Sequence, residues 1–194
     1  MLTPEDFKIP PIPPVGERRK DKIHLAAGRA IHQWEVVEFH LGQLFADLLG
    51  TTIPVGALRA YGAMSAFNVR QQMLMHAADA FFHYAPNDEL RARFNRIVKS
   101  LADNASARRN EIAHGLVIAQ NKGHGESYFL VPSYHSAKKR SFAADPTYQY
   151  TSKEIEDFTK KFRLLAAEVY RLGVACLEWH AASQKKLRER HPPP

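Results

Sequence analysis

The chain has 194 residues, a formal net charge of +7 and 45% hydrophobic residues. This length fits one domain with tails, and the apolar content excludes a wholly disordered chain. The single cysteine excludes an internal disulfide framework and a cysteine-based zinc site, and it suits a reducing compartment. No run approaches the ~18 apolar residues of a membrane span, and the first residues lack the features of a signal peptide. We therefore expect a cytoplasmic protein with no membrane segment.

Prolines divide the chain into stretches in which apolar residues recur at three- and four-residue steps, the period of an amphipathic helix. This pattern predicts helices over about residues 23–49, 57–82, 88–116 and 151–179. Asn87 is expected to cap the third helix, and Thr151 with Glu154 forms a capping-box pattern at the start of the fourth. Cys176 lies on the apolar stripe of the fourth helix, so we interpret it as a core residue and not as a nucleophile.

The hydrophobic period changes between the third and fourth predicted helices. Residues 128–131 and 148–150 are short and rich in β-forming residues, which predicts a hairpin with residues 136–146 as its tip. The predicted fold class is therefore all-α, an antiparallel bundle of four or five helices with a small β-hairpin insertion before the last long helix. The predicted segments are a Pro-rich N-terminal arm, a helical domain with an insertion, and a basic, Pro-ended tail, at residues 1–22, 23–182 (insertion about 124–150) and 183–194.

The basic surplus is concentrated between residues 86 and 140. Lys138, Lys139 and Arg140 lie together in the predicted hairpin tip, where we expect them to attract RNA phosphates. A solvated basic surface without a ligand explains the charge equally well, so charge alone identifies no partner.

One sequence segment carries a recognisable motif. Residues 108–115 read Arg-Arg-Asn-Glu-Ile-Ala-His-Gly, in which Arg109 is followed by Asn110 and, after four intervening residues, by His114. The segment resembles the signature of the HEPN superfamily (higher eukaryotes and prokaryotes nucleotide-binding domains). The resemblance implies a helical bundle, a homodimer and, in many members, a metal-independent endoribonuclease that acts as a toxin or defence effector beside an antitoxin. Other members of the superfamily have no catalytic activity.

The Arg-to-His spacing by itself is not specific. Similar spacing occurs at Arg70 and His76, and between Arg18 or Arg19 and His24. Only the segment at His114 combines a polar residue after the arginine with a glycine after the histidine. Members paired with nucleotidyltransferase antitoxins commonly carry a tyrosine two residues after the histidine; here that position is Leu116. Regulation by tyrosine modification is therefore not expected.

A helical wheel at ~100° per residue places His114 opposite the apolar stripe of its helix. The residues predicted to share its face form a supporting polar set, namely Arg96, Asp103, Asn110 and Glu111. Arg109 falls on the flank of the apolar stripe, so one helix cannot place it directly beside His114. Pairing of this face with the same face of a second protomer brings two Arg/His sets to one cleft, the usual isologous form of homodimer.

These residue types suit cleavage of RNA by its own 2′-OH. A histidine near its reference pKa of ~6.5 can transfer protons in either direction at neutral pH. An arginine is always charged and contacts two phosphate oxygens at once. Arg109 and His114 are therefore the predicted catalytic pair, and Asn110 fixes the imidazole tautomer or binds phosphate. The chemistry requires no metal and no cofactor.

Two interpretations remain open at this point. In the first, the protein is an endoribonuclease whose partners are RNA, a second protomer and an antitoxin. In the second, it is a non-catalytic HEPN-like scaffold whose same polar face binds a nucleotide, RNA or a protein, and no bond is cut. Separately, His114 has a structural interpretation as a helix-capping residue, and Arg109 has one as a structural arginine. Asp103 and Glu111 favour the second interpretation because their charge weakens phosphate attraction. A sequence-specific DNA binder is a third hypothesis, for which no helix-turn-helix pattern is present.

Overall fold

The computed structural model describes residues 1–51, 53–121, 125–133 and 146–190, excluding the side chains of residues 186–188 and 190. Within these ranges the protein is mostly helical, with one two-stranded antiparallel sheet, which agrees with the predicted all-α class. The helices are α1 Lys20–Leu48, α2 Pro54–Gly62, α3 Phe67–Tyr84, α4 Asp88–Phe94, α5 Ala102–His114 and α6 Ser152–Arg190. The strands are β1 Gly115–Asn121 and β2 Glu126–Pro132.

The chain divides into two compact units. The first unit comprises Met1–Glu35 and Asn104–Leu164, and the second comprises Val36–Asp103 and Leu165–Pro194. In the first unit, Trp34 packs edge-on against Phe162 with ring centroids 5.5 Å apart, and both side chains are fully buried. Each unit therefore takes one segment of α1 and one segment of α6.

The second predicted helix is wrong as a single element. Residues 63–66 separate α2 from α3, where the periodicity predicted one helix over residues 57–82. The arginine Nε of Arg70 donates to the carbonyl oxygen of Met64 at 2.7 Å, and its Nη1 donates to Glu38 at 2.9 Å. The break is thus stabilised by an ion pair that reaches α1, which no local pattern encodes.

The third predicted helix begins as expected and ends early. The side chain of Asn87 accepts a hydrogen bond from the backbone N–H of Leu90 at 2.9 Å, which confirms the predicted N-cap. Residues Asn95–Leu101, between α4 and α5, are π-helical. The helix stops at His114, so Leu116, the last residue of the predicted helix, is instead an exposed residue of β1.

Gly115 marks the junction between α5 and β1. A Cβ atom at this position would lie 2.5 Å from the Cδ2 atom of Leu130 and 2.8 Å from the carbonyl oxygen of Glu111. Both distances are far below van der Waals contact, so the close approach of β2 to the end of α5 requires glycine here.

The predicted hairpin is present with a different pairing. β2 pairs along its length with β1, from Gly115 opposite Pro132 to Asn121 opposite Glu126. The predicted partner, residues 148–150, contributes one bridge on the other edge of β2, where Leu130 and Tyr150 exchange two backbone hydrogen bonds of 2.9 Å. The main partner was missed because the apolar residues of β1 also continue the helical period of α5. Residues 136–145 of the predicted tip lie outside the described residues.

Separate contacts fix the start of α6 and the N-terminal segment. The N–H and Oγ1 of Thr151 donate to the same carboxylate oxygen of Glu154 at 2.7 and 2.5 Å, which confirms the predicted capping interaction. In the N-terminal segment, Phe7 is buried and stacks on Phe162 at 6.2 Å.

Cys176 is buried, as predicted for a core residue. Among the described residues, no helix is long and apolar enough to cross a membrane.

Candidate functional site

The last turns of α5 carry an exposed polar face. Ala107, Asn110 and His114 are exposed, and they follow one another at three- and four-residue steps. Ile112, on the other side of the helix, is buried. The direction of this face is therefore the one that the helical wheel predicts. Asp103, at the beginning of α5, is exposed as well, although it belongs to the second unit.

Arg109 is held loosely beside this face. Its Nη1 donates to Oδ1 of Asn110 at 2.9 Å, which connects the guanidinium to the exposed side of α5. Its Nη2 lies 3.9 Å from the carboxylate of Glu35 on α1, a long distance for an ion pair. Its Nε is buried and has no hydrogen-bond partner among the described residues. The sequence offers no signal for Glu35, because the two residues are far apart along the chain.

His114 is the last residue of α5 and is exposed. A basic side chain at a helix C-terminus interacts favourably with the last carbonyl groups, which is a structural reason for a histidine here. The glycine that follows it also has a structural reason, the contact with Leu130. The exposed imidazole is nevertheless reachable by a ligand.

Glu111 does not belong to the exposed face, so this part of the predicted polar set is wrong. Its carboxylate is mostly buried, accepts a 2.5 Å hydrogen bond from the hydroxyl of Tyr150, and lies 2.9 Å from Nη2 of Arg108. Burial raises the pKa of Glu111 above its usual range, while the Tyr150 hydrogen bond and the Arg108 charge oppose that rise. Glu111 is on the edge of the polar face by the wheel, and the approach of Tyr150 draws it inward.

Two tyrosines hold the segment before α6 against α5. Tyr148 and Tyr150 stack with ring centroids 4.9 Å apart, and the hydroxyl of Tyr148 donates to the backbone carbonyl of Glu111 at 3.1 Å. Burial raises the pKa of both tyrosines, so both hydroxyls remain hydrogen-bond donors at neutral pH. The two-residue spacing of an extended segment places both rings on one side, and this was the available sequence signal.

Arg96, which the helical wheel predicted to share the face of His114, belongs to the second unit. Arg96 lies within the π-helical segment, to which a helical wheel of 100° per residue does not apply. Its Nη2 lies 2.6 Å from the carboxylate of Glu168, within the second unit.

Lys138, Lys139 and Arg140 lie outside the described residues. In the described ranges, no group of three or more His, Cys, Asp or Glu side chains could hold a metal ion.

Comparison of the chain with protein-family models, with curated proteins and with solved structures gave no match in any of the three.

Proposed function

We propose that this protein is a metal-independent endoribonuclease of the HEPN type, built on an antiparallel helical bundle and acting in the cytoplasm as a toxin or defence effector. The observation that carries the proposal is the hydrogen bond from Arg109 to Asn110, which connects a loosely held guanidinium to the exposed face of His114. The resemblance of residues 108–115 to the HEPN signature supports the same assignment.

In the proposed reaction, the 2′-OH of RNA attacks the adjacent phosphorus and the 5′-oxygen of the next nucleotide leaves. His114 takes the proton of the 2′-OH or gives a proton to the leaving 5′-oxygen, and solvent water exchanges the proton at the other oxygen. Arg109 binds the phosphate oxygens as negative charge develops on them. Asn110 orients the imidazole or the phosphate. The products are a 2′,3′-cyclic phosphate end and a 5′-OH end.

The proposed active unit is a homodimer in which the exposed face of α5 approaches its symmetry mate. The face suits close approach because Ala107 is small and exposed between longer polar side chains. Lys138, Lys139 and Arg140 are proposed to add electrostatic attraction for RNA. An antitoxin partner belongs to the same proposal.

A non-catalytic binding scaffold is the second candidate, and one observation favours it. The carboxylate of Glu35 faces the Arg109 guanidinium and competes with phosphate for it. In this case the same exposed face binds a nucleotide, RNA or a protein, and no bond is cut.

The test is incubation of the purified protein with mixed RNA in excess EDTA. We expect cleavage with 2′,3′-cyclic phosphate or 3′-phosphate ends, and no cleavage of DNA of the same sequence, because DNA lacks the nucleophile. His114→Ala is expected to lower the cleavage rate by at least ~100-fold with little change in stability. His76→Ala is the matched control, since His76 is exposed on α3 and follows an arginine at a similar spacing along the sequence. Binding of RNA without cleavage by the wild type favours the scaffold instead.

A further inference from the structure

Helix α6 carries a second apolar stripe on the side opposite its core stripe. Tyr170, Val174 and Leu177 are 57%, 36% and 48% exposed, and Ala181 continues the same line and is exposed. The steps between them are four, three and four residues, the spacing of a helix–helix seam. At ~100° per residue, the centre of the stripe lies about 170° from Leu172 and about 130° from Cys176, which are fully buried.

We propose that this α6 stripe packs against the same stripe of a second copy of this chain, with the two helices antiparallel. A two-fold axis between Val174 and Leu177 places Val174 of one copy opposite Leu177 of the other. The same axis places the large Tyr170 opposite the small Ala181. Each layer therefore combines a larger side chain with a smaller one, the arrangement that fills a helix–helix seam without voids.

Charge complementarity selects the second copy as the occupant. Arg171 and Glu178 flank the stripe on one side, seven residues apart, and both are exposed. Neither forms an ion pair with another residue in the described ranges. The two-fold axis brings Arg171 of one copy beside Glu178 of the other, and the reverse pair forms at the same time. Antiparallel helix pairs use flanking charges in this way to set orientation.

An aromatic group extends the stripe onto α1. The ring of Tyr170 lies 5.5 Å from that of His40, which lies 5.4 Å from the ring of Phe39. Phe39 is 59% exposed and adds apolar area at the Tyr170 end. The seam from Tyr170 to Ala181 is about 17 Å long at 1.5 Å per residue. Such a contact is at the small end of specific interfaces, so we expect the association to be reversible.

This surface is distinct from the exposed face of α5, so the inference goes beyond the proposed nuclease. Analytical ultracentrifugation at tens of micromolar tests it with Leu177→Glu, which places a charge in the seam. We expect the assembled mass to fall by half relative to the wild type. Val55→Glu, at an exposed apolar position of α2, is the control with the same change in net charge and should leave the mass unchanged. A folded Leu177→Glu protein with the wild-type mass overturns the proposal.

A charge swap tests the antiparallel arrangement. Arg171→Glu and Glu178→Arg each place two like-charge pairs across the two-fold axis, and each is expected to weaken association by roughly tenfold. The chain carrying both changes restores both opposite-charge pairs and should return to wild-type association. Far-UV circular dichroism confirms that each variant is folded. Failure of the double variant to recover association overturns the antiparallel arrangement. RNA cleavage is not the readout, so the nuclease proposal succeeds or fails separately.

Discussion

Two arginines that precede a histidine at similar spacing are used in different ways. Arg70, before His76, lies 2.9 Å from Glu38, and the two side chains are 21% and 8% exposed. Arg109, before His114, lies 3.9 Å from Glu35, and these side chains are 29% and 60% exposed. The Nε of Arg70 also donates to Met64, whereas the Nε of Arg109 has no partner among the described residues.

The comparison shows that motif spacing is a poor guide to function without the environment of the side chains. The Arg70 guanidinium pairs with a buried carboxylate and donates to a carbonyl oxygen between α2 and α3, so its role is structural. The Arg109 guanidinium forms one hydrogen bond to an exposed amide and one long ion pair to an exposed carboxylate, so a phosphate can replace the latter at small cost. Both histidines are exposed, and the difference therefore lies in the arginines.

The largest expected effect separates the two arginines by stability. Arg70→Ala is expected to lower the free energy of unfolding by about 3 kcal/mol, because the Glu38 carboxylate stays buried and loses its ion pair with Arg70. Arg109→Ala should lower it by no more than about 1 kcal/mol, since its ion pair is long and its partner Glu35 is exposed. Urea unfolding of both variants measures the difference. Equal losses would contradict the structural distinction between the two sites.

A smaller effect tests how firmly the neighbourhood of Arg109 is anchored. Tyr150→Phe removes the hydroxyl donor to Glu111 and should cost about 1–2 kcal/mol. Tyr148→Phe, the matched control, removes a longer bond to a backbone carbonyl and should cost about 1 kcal/mol or less. Urea unfolding distinguishes them, and a larger loss for Tyr148→Phe is the contrary result.

The pH dependence of the same experiment has a defined sign. The raised pKa of Glu111 means that the folded chain holds this proton more tightly than the unfolded chain does. Its contribution to stability is therefore fully present below the unfolded pKa and declines as pH rises through the folded pKa. The hydrogen bond from the Tyr150 hydroxyl lowers the pKa of Glu111 in the folded chain. Tyr150→Phe should therefore raise this pKa further and extend the decline in stability to higher pH.

The smallest expected effect concerns Glu35. Glu35→Gln should change the free energy of unfolding by less than about 0.5 kcal/mol, because Glu35 is exposed and its ion pair with Arg109 is long. It should strengthen RNA binding by about two- to threefold, since a carboxylate that competes with phosphate is removed. Glu156→Gln, at an exposed position of α6, controls for the change in net charge. A stability loss above about 1 kcal/mol would show that the Arg109–Glu35 pair is structural after all.

The sequence alone could predict those features that depend on residues within about four positions of each other. The helical periods gave most of α1, α3 and α6, and the caps at Asn87 and Thr151 are formed as the sequence indicated. The exposure of Asn110 and His114 follows from the same short-range period along α5. These features depend on backbone geometry and on side chains one helical turn away, so a single sequence contains them.

Only the tertiary structure decided the features that join distant residues. Leu116 lies in a strand because β2 offers it a partner, although its apolar period also suited a helix. Glu111 turns away from His114 because Tyr150, thirty-nine residues later, donates to its carboxylate. The break before α3 depends on Glu38, thirty-two residues before Arg70. Strand pairing and buried ion pairs gain their free energy from groups that folding brings together, so no local pattern specifies them.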